Sequence, residues 1–199
     1  MIKEIEDRRS IRKYKKGEIS DEVLEKILDA ARVHHPVKTD SRGNFLYMVV
    51  KKRKKFLKKM RAGIKRELKE PLFKDSKRLL PDADNTLRIM MSAPIVVFVL
   101  NTNGVSPMET IDMDGRFTEI CDSLSIGAAI ENMLLRAQQF GIGSLWIGNT
   151  CFAYNDMVEV IPSKGQLIGA VAVGYAAEKP VSKAKEKAGR NIRIYVRKW

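Results

Sequence analysis

The sequence predicts an α+β domain in which helices are layered on a sheet, and three observations carry that expectation. The run Ile95-Val96-Val97-Phe98-Val99-Leu100 is apolar without a break, as in a strand covered on both faces. From Thr118 to Phe140, apolar or small residues fall over most of a helical circumference, as in a helix at the centre of a domain. Helical and strand-like segments follow one another in a mixed order, without regular βαβ repetition.

Taken along the chain, residues 2–9 read as a short polar turn of helix carrying Ile2 and Ile5, followed by a basic extended piece that Gly17 ends. Ser20 is suited to cap the next helix, Asp21 and Glu22 complement its N-terminal dipole, and Val23, Leu24, Ile27, Leu28 and Ala31 form its buried stripe. Pro36 closes this region, and Phe45 to Val50 is aromatic and β-branched enough for a strand. Phe56, Leu57, Met60, Ile64 and Leu68 are spaced along one face of a helix that starts in the basic run at Lys51. Residues 71–84 are polar and punctuated by proline, which predicts a loop, with a helix over 85–92 that Asn85 could cap. Pro94 introduces the apolar strand, and 101–114 reads as a second loop containing Gly104 and Pro107. Gly127, Ala128 and Ala129 permit close approach to the long helix, and Gly141 supplies its stop. Gly141 to Gly148 and Gly169 to Tyr175 complete the sheet, and no internal repeat or low-complexity segment interrupts the chain.

With 199 residues and 44% hydrophobic side chains, one domain spanning 1–199 is the expectation. The net charge of +13 favours anionic partners. The basic helix after Lys51 reads as the solvated face of a packed helix, not as a nucleic-acid or membrane-surface element, because no aromatic array is interleaved with its lysines. Cys121 and Cys151 are too few for a disulfide scaffold, and neither they nor the adjacent His34 and His35 have the spacing of a metal site. No apolar leader or membrane-length run is present, so the expectation is a soluble, cytoplasmic protein with neither a membrane nor a nucleic acid as partner. Gly141-Ile142-Gly143 meets Trp146 where a dinucleotide fingerprint needs its third glycine, and Walker and nucleophile-elbow motifs are missing.

The segment Arg8-Arg9-Ser10-Ile11-Arg12 has the chemistry of an anion clamp. Guanidinium groups grip phosphate oxygens through forked, charge-assisted hydrogen bonds, and a serine hydroxyl fits between them. In an extended segment Arg8, Ser10 and Arg12 share a face.

In their order along the chain, this segment, the helix Ser125-Ile126-Gly127-Ala128-Ala129-Ile130-Glu131-Asn132 and the strand Gly141-Ile142-Gly143-Ser144-Leu145-Trp146-Ile147-Gly148 resemble the nitroreductase family of flavin enzymes. The resemblance implies a three-layer α/β/α form of the α+β class, with a central mixed, mainly antiparallel sheet. It implies FMN as cofactor, with Arg8, Arg9, Ser10 and Arg12 on the family's phosphate, ribityl and pyrimidine contacts. Lys185 and Lys187 fall on a Lys-x-Arg pair that completes the phosphate site, with Arg190 as a nearby alternative to Lys187. Asn85 falls on a pyrimidine-binding asparagine, and Ile147, Gly148 and Asn149 on the backbone beside flavin N5. Val37 to Phe45 departs from the family's loop: Ser41, Gly43 and Phe45 stand where Asn, Gln and Trp are expected, leaving Thr39 and Ser41 to reach ribityl hydroxyls or a ring edge.

The activity implied is ping-pong transfer from NADH or NADPH to a small-molecule electron acceptor such as a nitro-aromatic or quinone, with no protein acid or base required and hence no catalytic side chain. The family also implies a homodimer whose C-terminal tail, about 183–199, reaches the partner, and the alternation in Ile192-Arg193-Ile194-Tyr195-Val196 suits an added strand. Two other readings stand beside it: a flavin-binding or sensing protein of the same fold with little turnover, and a basic nucleic-acid-binding module.

Overall fold

The structure, a computed structural model, describes residues 2–33, 45–50, 54–161 and 164–179. Its framework is a four-stranded sheet of β1 (Phe45–Val50), β2 (Ile95–Asn101), β3 (Gly143–Ile147) and β4 (Gln166–Gly174), ordered β1-β2-β4-β3 with every pair antiparallel. Every residue of β2 is buried, which is what its unbroken apolar run requires of a central strand. Side chains alternate across a strand, so Val96, Phe98 and Leu100 enter one core while Ile95, Val97 and Val99 enter the other.

Helices cover both faces and complete three layers. On the Val97 side lie α2 (Asp21–Ala30) and α5 (Met113–Gln139), contributing Leu24, Ile27, Ile126, Ile130, Met133 and Leu134. On the Phe98 side lie α3 (Lys54–Lys69), α4 (Ser76–Ser92), a 3₁₀ turn (Asn149–Ala153) and α6 (Tyr154–Val158). A short α1 (Lys3–Asp7) precedes the extended basic segment, and both Ile2 and Ile5 are exposed.

Local signals act where the sequence places them. The Ser20 hydroxyl accepts from Val23 N at 3.3 Å at the start of α2, and Asp112 accepts from Gly115 N at 2.8 Å at the start of α5. Gly141 has φ +66°, the left-handed conformation that ends α5, and Ile142 N then donates to Ala137 O at 2.9 Å. In α3, Leu57, Met60 and Ile64 are buried as their spacing predicts, whereas Leu68 is exposed in the last turn.

Two expectations are corrected. Residues 76–84 are helical, not loop, so α4 begins well before Asn85, runs through Pro81 and leaves Asn85 exposed inside the helix instead of capping it. Proline inside a helix costs about 3 kcal/mol; here burial of Leu80, Ala83, Leu87 and Met90 opposes that cost. The start of α4 is held from another helix: buried Glu67 of α3 accepts from Leu72 N at 2.8 Å, from Phe73 N at 3.0 Å and from the Ser76 hydroxyl. The second correction concerns α5, which starts at Met113 and keeps Met113, Phe117, Ile120 and Leu124 exposed, so it is central but not covered all round.

The packing of α3 on the 3₁₀ turn is close enough to decide a substitution. A Cβ at Gly63 would stand 2.4 Å from Ala153 Cβ and 2.6 Å from Ala153 Cα. Helix propensity favours alanine over glycine by about 1 kcal/mol, but backbone in the way makes overpacking, at about 1–3 kcal/mol, the larger effect. Gly63→Ala is therefore expected to lower the unfolding free energy in urea titration, and an increase would show that the two elements are not in contact.

Candidate functional site

The N-terminal arginine segment is laid on the sheet, and the hydrogen bonds that hold it there set the geometry of the site. Ile11 N donates to Ser144 O at 2.9 Å, giving a parallel bridge between Ser10 and Ser144 on β3. Further on, Lys15 N donates to Tyr175 O at 2.8 Å and Ala177 N to Lys13 O at 2.9 Å, so the segment crosses from β3 to the end of β4. Glu178 accepts from the backbone N–H groups of Arg12 at 2.7 Å and Lys13 at 3.2 Å. Ile11 is buried against Gly143, where a Cβ would meet Ile11 Cγ1 at 2.8 Å. Buried Tyr14 fastens the segment from below, its hydroxyl sharing its one proton between Ile11 O at 2.8 Å and Ala172 O at 3.3 Å.

Each arginine has a distinct set of partners. Arg8 Nε donates to Glu131 Oε1 on α5 at 3.2 Å, with both side chains partly exposed. Arg9 Nη1 bonds the carbonyls of Glu6 at 2.6 Å and Arg8 at 2.7 Å. Arg12 Nη1 folds back on Ser10 O at 3.3 Å in an exposed position. The expected shared clamp face is thus divided: Arg8 reaches toward α5, while Arg9 and Arg12 rest on main-chain carbonyls.

At the far end of β3, Ile147 makes the last ladder pair with Ala170, and Gly148 continues beyond the sheet. Among the described residues, a Cβ at Gly148 would meet nothing within 4 Å. Asn149 Nδ2 donates to Thr86 Oγ1 at 3.0 Å, which places α4 beside this end of β3. Asn85 precedes Thr86 on the same helix and is exposed. Ser10 and Ile147–Asn149, far apart in sequence, therefore hang on one strand, separated by about 10 Å of strand rise between Ser144 and Ile147. Thr39, Ser41, Lys185, Lys187 and Arg190 lie outside the described residues, as do His34, His35 and the tail at 183–199.

Beside the strand is an apolar surface. Trp146 is 44% exposed, and its Cη2 lies 3.8 Å from where a Cβ on Gly127 would stand. Phe117 at 62%, Leu124 at 63% and exposed Ile120 extend this surface along α5. Separately, an open cleft of about 620 Å³ lies between α1, α2 and α5, lined among others by Lys26, Asp29, Asn132 and Arg136. None of the anticipated site residues that are described lines it. Among the described residues, no helix is long and apolar enough to cross a membrane, and no group of metal-binding side chains is gathered.

Three contacts were not legible in the sequence. Glu131, Glu178 and Thr86 bond Arg8, the Arg12 backbone and Asn149 across 123, 166 and 63 positions, and no local motif announces such partners.

The Nitroreductase family profile matches residues 5–175. A Methanothermobacter thermautotrophicus protein provisionally named an NADH dehydrogenase/NAD(P)H nitroreductase is 26% identical over 205 residues, covering 100% of this chain and 87% of that protein. An Archaeoglobus fulgidus protein of the same provisional name is 29% identical over 204 residues, covering 100% and 98%. The crystal structure of a nitroreductase with bound FMN from Bacteroides fragilis superposes with a TM-score of 0.66 at 24% identity, covering 98% of each chain, and this likeness establishes the fold.

Burial, reinforced by the nearby Glu178 carboxylate, raises the Tyr14 pKa well above its ordinary value of 10.0, with Arg12 opposing the shift. The folded state therefore binds the phenolic proton more tightly than the unfolded state. The resulting stability is fully present below pH 10.0 and is lost as pH climbs toward the raised folded value. Tyr14→Phe is expected to lower stability by about 1 kcal/mol near neutral pH and to make denaturation less steeply pH-dependent above pH 10.0. Equal alkaline slopes for the two proteins would contradict the burial of this phenol.

Proposed function

The chain belongs to the nitroreductase family of oxidoreductases, and on that premise we propose that it binds FMN along β3 and transfers electrons from NADH or NADPH to a small acceptor, a nitro-aromatic or quinone. The observation that carries this reading is the attachment of both halves of the anticipated site to one strand, Ser10 at Ser144 and Gly148 just past Ile147. An elongated cofactor with an anionic end and a flat redox end matches that layout.

In this reading Arg8 and Ser10 bind the phosphate, and Arg9 and Arg12 adjust from their main-chain contacts to ribityl and pyrimidine oxygens. Lys185 and Lys187, or Arg190 in place of Lys187, add charge to the phosphate site, and Thr39 and Ser41 reach the ribityl hydroxyls or a ring edge. Gly148 admits the ring, the backbone of Ile147 to Asn149 offers N–H groups at its edge, and Asn85 approaches the pyrimidine from α4. Bound there, FMN supplies hydride and two-electron chemistry. The protein orients the reactants, which occupy the same face in turn as a ping-pong scheme requires, and protons come from water.

The exposed Phe117, Ile120, Leu124 and Trp146 surface supports a homodimer. Apolar patches rimmed by polar groups are covered by a partner, and a symmetric pair buries the same surface on both copies. A second copy would also enclose the open side of Gly148, and the segment 183–199 would reach across it. The chain then works as one domain per subunit, in the cytoplasm, and its basic surface serves nucleotide anions, not nucleic acid.

Adding FMN to purified protein is expected to give a bound flavin absorbance spectrum that NADH or NADPH bleaches and a quinone restores. Protein that never acquires the chromophore would contradict the proposal, while bound flavin with no turnover would favour the sensing alternative. Leu124→Asp is expected to shift gel filtration from dimer to monomer and weaken FMN retention by about tenfold or more. Unchanged size and retention would remove α5 from the interface.

A further inference from the structure

We infer that Glu131 is a positioning residue for the anion clamp: its carboxylate takes the Nε edge of Arg8 and so presents the Nη end of the guanidinium to the flavin phosphate. This rests on the FMN reading above and adds to it a residue on a different element. A guanidinium has two usable faces, the Nε edge and the terminal Nη pair, each able to serve one anion. Arg8 uses Nε for Glu131 at 3.2 Å, and among the described residues its Nη groups have no other hydrogen bond. Arg9 and Arg12 differ, each placing an Nη group on main-chain carbonyls. Among the described residues, Arg8 is therefore the one arginine of the segment held by a carboxylate with its fork uncommitted.

The pair is not explained by stability. Its side chains are 28% and 42% exposed, and ion pairs in such settings contribute little to folding. What the contact does is restrict a long, flexible side chain and join the N-terminal segment to α5. The next residue performs a similar task for another segment: Asn132 Nδ2 donates to Val33 O at 2.9 Å just past α2. Restricting Arg8 before the anion arrives removes conformational entropy that binding would otherwise have to remove.

The arrangement carries an electrostatic liability that makes it testable. With Arg8 in place, Glu131 is matched; without Arg8, a bare carboxylate faces the incoming phosphate. Loss of Arg8 then removes an attraction and exposes a repulsion, and neutralising Glu131 has opposite value in the two backgrounds.

The test is a double-mutant cycle on the full chain, with Arg8→Ala, Glu131→Gln and their combination, titrated with FMN and with riboflavin, which lacks the phosphate, by flavin fluorescence. Arg8→Ala is expected to weaken FMN by about tenfold or more while leaving riboflavin nearly unchanged. Glu131→Gln alone keeps a hydrogen-bond acceptor and is expected to change FMN affinity by less than about threefold. Added to Arg8→Ala, it is expected to tighten FMN by about threefold or more. Independent effects in the cycle, or equal shifts for FMN and riboflavin, would overturn the role of Glu131 while leaving FMN binding intact. Unchanged FMN affinity in Arg8→Ala would instead overturn the phosphate assignment itself, and the inference with it. Both side chains reach solvent, so the variants should keep the fold, and matching thermal transitions would verify that.

Discussion

The outer edge of β3 is the constraint on which the rest of the molecule depends. With the order β1-β2-β4-β3, β3 is an edge strand among the described residues, and an edge leaves backbone groups that must be paired, covered or used. Among the described residues, the chain covers the start of this edge with its own N-terminal segment, through Ile11 N to Ser144 O, and at the far end a Cβ on Gly148 would meet nothing within 4 Å. One backbone pairing thus brings basic side chains, delivered from the N-terminus, to the strand whose other end runs into Gly148. Tyr14, Gly143 and Glu178 all serve this attachment, by hydrogen bond, by absence of a side chain and by bonding the Arg12 and Lys13 amides.

The edge is backed by a closely packed interior. β2 and β4 are buried almost throughout, and the Ile147 carbonyl lies 2.6 Å from where a Cβ on Gly169 would stand, so β4 backs directly on β3. α5 has two duties. Its Ile126, Ile130, Met133 and Leu134 fill one core, while Phe117, Ile120 and Leu124 remain outside, and Glu131 reaches the arginine segment. A helix that is apolar over most of its surface need not bury all of it in its own core, and here Phe117, Ile120 and Leu124 are the part left outside.

What the sequence reveals follows the range of the interaction. The unbroken run at Ile95–Leu100, the Ser20 cap and the Gly141 stop are local or nearly local, and each element is where they indicate. The first half of α4 was hidden for the opposite reason. Pro81 and its polar surroundings argue for a loop, whereas the helix is stabilised by burial of Leu80 and Ala83 and by the Glu67 carboxylate of α3. The site divides in the same way. The Arg8–Arg12 segment and Ile147–Asn149 are legible as chemistry-bearing stretches, but their meeting on β3 is a tertiary fact, and the division of partners among the arginines has no signature in the segment itself.

The most direct measurement is a crystal structure of the protein grown with FMN. The account predicts the phosphoryl group within hydrogen-bond distance of the Arg8 Nη atoms and Ser10, the ring against Gly148, and a second copy seated on Phe117, Ile120 and Leu124. A flavin bound away from β3, in the α1–α2–α5 cleft for example, or a phosphate without contact to the N-terminal arginines, would contradict it.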